Sequence, residues 1–106
     1  MSWVIECPEN LSRNGRKAAA IMNQFMKKYK LQTGGCQTLY HPKEWRERGE
    51  EYGTEAELVI VYDGGDLHAV MDGYLYNMQD EIIQALEDIG LYFECCTSWY
   101  CAVYKS

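Results

Sequence analysis

The chain predicts an α+β domain of two layers, with two main helices packed on a mostly antiparallel sheet of four to six strands. Three observations carry that expectation. Residues 15–30 and 76–89 place apolar side chains at three- and four-residue spacing, the period of a helix with one buried face. Residues 57–62 hold four consecutive apolar residues, Leu58-Val59-Ile60-Val61, which suits a central strand covered on both faces. Residues 91–96 and 99–104 are separated only by Thr97-Ser98, a hairpin spacing that imposes antiparallel pairing. Two helices are too few to cover both faces of a doubly wound sheet. At 106 residues the chain builds one core, so 1–106 reads as a single compact domain.

The elements follow in order. Residues 2–7 read as a short strand with Trp3, Ile5 and Cys7 on one face, ended by Pro8. Ser12 and Asn14 are N-cap candidates for the first helix. Its apolar stripe is Ala18, Ile21, Met22, Phe25, Met26 and Tyr29, and Lys27, Lys28 and Lys30 crowd its last turn, where the helix dipole favours cations. Thr33-Gly34-Gly35 supplies its stop. Residues 36–40 form a second strand. Pro42 opens a short helix, with Glu44 and Arg48 as a four-apart ion pair. The strand at 57–62 ends in Asp63-Gly64-Gly65-Asp66, a turn signal, and 67–71 returns as a strand. In the second long helix Asn77 is the cap, Asp80 and Glu81 sit in the first turn, and Met78, Ile82, Leu86 and Ile89 form the stripe. Gly90 ends it before the terminal hairpin.

The formal net charge of −6 conceals a division along the chain. Residues 1–48 hold nine Lys/Arg against four Asp/Glu, a sum of +5. Residues 49–106 hold one Lys against twelve Asp/Glu, a sum of −11. An acidic surface repels phosphates, so direct nucleic-acid binding by the second half is disfavoured. A basic surface on another protein suits it better. No stretch is apolar enough to span a membrane, and the first residues lack a secretory leader, so a cytoplasmic location is expected. The five cysteines (Cys7, Cys36, Cys95, Cys96 and Cys101) are odd in number and read as reduced, buried thiols. Cys96 and Cys101 are placed to face one another across the hairpin.

No complete catalytic or cofactor motif is present, and no cofactor is expected. Asp63, Asp66 and His68 are the best candidate for a divalent-metal site and hence for a small hydrolase. The same residues are what a tight turn requires, and the turn is the stronger expectation. Cys36 and His41, five apart on a strand, point to opposite faces and make a poor nucleophile–base pair. The acidic half is studded with aromatics, and Tyr and Trp are enriched in protein interfaces. Glu50, Glu51, Tyr52, Glu55, Asp63, Asp66, Asp72, Tyr74 and Tyr76 are therefore the expected partner-binding residues. A third possibility is a homodimer in which the basic first helix meets the acidic half of its mate.

Residues 57–67 and 94–104, with Pro42-Lys43-Glu44-Trp45 and Arg48-Gly49-Glu50-Glu51-Tyr52-Gly53, resemble small proteins carried by phages and mobile elements. The resemblance spans about half the chain and brings no activity or functional residue with it. Proteins of this size and charge are similar in style to inhibitors of host defence, anti-CRISPR proteins among them. The acidic, aromatic-studded second half leads to the expectation of a non-enzymatic protein, monomer or homodimer, that docks on a basic surface, and this similarity makes a host complex the expected partner.

Overall fold

A computed structural model describes residues 3–32, 37–62, 66–71, 76–97 and 99–106. Helix α1, Arg13–Tyr29, starts two residues earlier than its apolar stripe requires. Ser12 explains the start: its Oγ accepts the Gly15 N–H at 3.0 Å and donates to the Glu57 carboxylate. The helix stops at Lys30, in the left-handed region at φ 54°, and not at the glycine pair, which lies outside the described residues. The Leu31 N–H then closes on the Met26 carbonyl at 3.0 Å, and Leu31 turns back onto the core. Leu31 is partly buried there.

Strand β1 is short, Leu39–Tyr40. Helix α2, Pro42–Glu47, has Pro at its first turn and His41 as N-cap. His41 Nδ1 accepts the Lys43 N–H and Nε2 lies 3.0 Å from the Asn10 carbonyl, contacts that fit the neutral ring protonated at Nε2. Arg48 pairs with Glu50 at 3.4 Å rather than with the expected Glu44, and it stacks over Trp45. Strand β2, Leu58–Val61, is buried at every position, as the unbroken apolar run predicts.

Residues 67–71 are not a return strand. They form a helical turn, α3 (Leu67–Met71), that buries Leu67, Val70 and Met71. In five residues a 67/69/71 alternation and a 67/70/71 helical spacing are both available, and the helical one wins because it buries the larger side chains. Helix α4 is Tyr76–Glu87. Asn77 is thus inside the helix rather than its cap, and no acidic residue occupies the first turn. Ile82 and Leu86 are buried, while Ile89 falls beyond the helix and is exposed. Strands β3 (Leu91–Cys95) and β4 (Tyr100–Lys105) form the expected hairpin.

The sheet order is β1-β2-β4-β3, antiparallel throughout. One face, through Leu39, Leu58, Ile60, Cys101 and Val103, packs on α1 and α4. On the other, Val59, Val61 and Tyr100 pack around Trp45 of α2. The α+β class and the helix-covered antiparallel sheet are as the periodicities predict. The strand expected at 2–7 does not form over the described residues 3–7. Val4 instead donates its N–H to Oδ1 of Asn23, a buried side chain on α1, at 2.7 Å. That bond lays the segment along the helix, with Ile5 buried and Trp3 and Val4 exposed. The register sets Cys101 opposite Cys95, not Cys96, and Cys96 packs on the opposite face of the sheet. Of the described thiols only Cys101 is buried, and Cys95 is exposed.

Candidate functional site

The segment between α2 and β2 lies against the sheet face opposite α1. It approaches closely because Gly53 sits at φ +80°, a conformation that side chains disfavour, and a Cβ there would meet the Ala102 Cβ tightly at 3.3 Å. Tyr100 Oη donates to the Tyr52 carbonyl at 3.3 Å, and the Glu57 N–H bonds the Val103 carbonyl at 2.7 Å. These three contacts fix residues 52–57 over β4.

Along its margin this segment leaves a cleft of about 390 Å³. Glu51, Tyr52 and Glu55 line it from one side, and Glu94, Cys96 and Tyr104 from the sheet. Tyr52 is 50% exposed. Next to it Tyr92 stacks on Tyr104, centroids 5.7 Å apart. The ion pairs among the described residues are Lys28–Glu81 and Arg48–Glu50. Glu51, Glu55 and Glu94 therefore share one cleft with no cation bound to any of them. Of the three carboxylates, Glu94 acts on its neighbours, after burial. Burial pushes the Cys96 thiol up, and the Glu94 and Cys95 charges add to it. Burial raises the Tyr104 hydroxyl, and Cys96 and Glu94 raise it further.

Of the nine expected partner-binding residues, the structure brings Glu51, Tyr52 and Glu55 together. Glu50 turns to Arg48 and is compensated there. Asp66 lies elsewhere, its carboxylate accepting the Gln32 N–H at 2.8 Å. Tyr76 is the first residue of α4. Asp63, Asp72 and Tyr74 lie outside the described residues. Glu94 and Tyr104 also line the cleft and stand outside the nine expected residues, and Tyr92 touches the site through its stack on Tyr104. Alternation along 91–95 was the available signal: Leu91 and Phe93 point at the helices, so Tyr92 and Glu94 must share the other face.

The metal and nucleophile candidates gain nothing. Among the described residues no three His, Cys, Asp or Glu side chains converge as ligands. His68 lies against the Tyr62 ring at 6.1 Å, and Asp63 is outside the described set. His41 is engaged in capping α2, and Cys36 is not among the described residues. No helix among the described residues is long and apolar enough to cross a membrane. The arrangement suits attraction of cationic groups and their packing on tyrosine faces. Comparison with protein-family models, curated proteins and solved structures finds no match to this chain.

Proposed function

We propose that this is a non-enzymatic binding protein whose acidic cleft docks on a basic surface of another protein. The observation that carries the reading is the convergence of Glu51, Glu55 and Glu94 beside Tyr52 and Tyr104, uncompensated by any cation among the described residues. A carboxylate cluster with exposed tyrosines recruits Lys and Arg by long-range attraction and holds them by contact with ring faces. The resemblance to phage and mobile-element proteins makes a host defence complex, with its basic nucleic-acid channel, the partner of choice.

The test is capture of a partner from host cells, followed by direct binding of the purified pair. Charge reversal at Glu51, Glu55 and Glu94 together should weaken that binding by about tenfold or more, and added salt should weaken the wild-type interaction in parallel. Binding that is indifferent to both manipulations would sink the proposal.

A further inference from the structure

The two edges of the sheet differ. The β1 edge is only Leu39–Tyr40, and the Gln37 side chain caps it by donating to the Leu39 carbonyl at 2.6 Å. The β3 edge runs through Leu91–Cys95 and carries no such cover among the described residues. Its hydrogen-bonding phase can be read from its ends. The Cys96 N–H bonds the Tyr100 carbonyl, and the Ser106 N–H bonds the Gly90 carbonyl. Antiparallel ladders alternate, so Tyr92 and Glu94 also direct their backbone groups at β4. Leu91, Phe93 and Cys95 direct theirs outward. Three N–H and three C=O groups thus stand along an open edge, a template for another strand.

Each face of that edge opens on a cleft. On one side is the acidic cleft already described, with Glu94 at its margin. On the helical side lies a second cleft of about 360 Å³, lined by Gln79, Ile83 and Glu87 of α4 with Phe93 and Cys95 of β3, and reaching Tyr92 at the strand's edge. Side chains of an added strand alternate between the two faces, so one set would enter each cleft. We propose that an extended segment of a basic protein partner adds to the sheet beside β3, pairing with Leu91, Phe93 and Cys95. Its Lys or Arg side chains point to Glu94, Glu51 and Glu55, and its intervening apolar side chains pack on Phe93 and Ile83. This rests on the acidic-docking reading and specifies the backbone geometry of the partner. Charge selects a basic segment over a second copy of this chain: two copies would each bring a net −6, with Glu87 and Glu94 beside the joined edges.

The probe is a synthetic heptapeptide of alternating Lys and Val, compared with the same peptide N-methylated at every amide so that neither of its edges can donate to β3. Amide hydrogen exchange is read residue by residue on the intact protein. The unmodified peptide should bind and slow exchange at Phe93 and Cys95 by about tenfold or more, while the methylated peptide should not. Cys95→Pro removes an outward N–H that β4 does not use, so it should keep the β4 protection pattern and lose the peptide. Equal, salt-sensitive binding of both peptides would overturn strand addition and leave the acidic-docking reading intact. Binding of neither would overturn both. Protection of Phe93 and Cys95 that grows with protein concentration in the absence of peptide would assign the edge to a second copy and overturn the proposal.

Discussion

Gly53 is the residue on which the acidic cleft depends most directly. Ala at this position would carry a Cβ at positive φ and press it against the Ala102 Cβ, with Val59 and Cys96 in ordinary contact. Gly53→Ala should cost about 1–2 kcal/mol in urea denaturation and weaken partner binding, because the segment bearing Glu51 and Glu55 must lift from β4. The cysteines give a second residue-scale expectation. Burial holds the Cys101 thiol well above the ordinary thiol range, whereas Cys95, its partner across the hairpin, is exposed. Iodoacetamide on the native protein, followed by peptide mapping, should label Cys95 and leave Cys101 unmodified until denaturant is added. Native labelling of Cys101 at the rate of Cys95 would contradict the described packing. Sequence alone could not separate these two: both sit among aromatics, and exposure depends on which side of β3 has a neighbour.

At the scale of elements, α2 is anchored by one side chain. Trp45 is fully buried and meets Tyr40, Trp99 and Tyr100 at centroid distances of 4.9, 5.8 and 5.0 Å. Its Nε1–H finds no acceptor among the described residues. Trp45→Ala should lose about 3–5 kcal/mol by calorimetry, and Trp45→Phe distinctly less, because no satisfied hydrogen bond is given up with the indole. Helices α1 and α4 are joined at the surface by Lys28 Nζ and Tyr29 Oη, both on Glu81 Oε1, at 2.8 and 3.0 Å. The Lys28 hydrogen bond, helped by the Tyr29 hydroxyl, holds Glu81 below the usual glutamate value of 4.5. A folded-state value below the unfolded one stabilises above pH 4.5 and fades as pH falls through the lower value. Lys28 is raised above 10.5, chiefly by the Glu81 hydrogen bond, so its share persists below 10.5 and is lost at more alkaline pH. In an NMR titration Lys28→Met should move the Glu81 midpoint upward, and an unmoved midpoint would remove the pair from the account. The helices and the terminal hairpin were legible in the sequence because their periods persist over many residues. The 67–71 segment was not, since five residues fit both periods, and residues 3–7 depart from the expected strand because Val4 bonds the Asn23 side chain on a distant helix turn instead of a strand.

For the whole molecule, the split between a basic first half and an acidic second half proves to be partly internal. Lys28 of the first half already meets Glu81 of the second within one chain, which leaves the homodimer of opposite halves less charge to exploit. Three of the acidic residues that no ion pair compensates among the described residues, Glu51, Glu55 and Glu94, line the cleft by β3. The sequence-level charge division therefore indicated the sign of the site, but only topology placed Glu94 beside Glu51 and Glu55, since they meet across the sheet and not along the chain.

The strand order has a consequence for how the protein is made. The inner strand β4 comes last in the order of elements, yet it supplies the partner for both β2 and β3. During synthesis β2, apolar at every position, emerges about 40 residues before the strand that closes its second edge. Until β4 clears the ribosome, the central layer of the fold stays unfinished and its stickiest segment stays open. A nascent chain that has emerged through α4 but not β4 therefore leaves that edge of β2 unpaired, and emergence of β4 covers it.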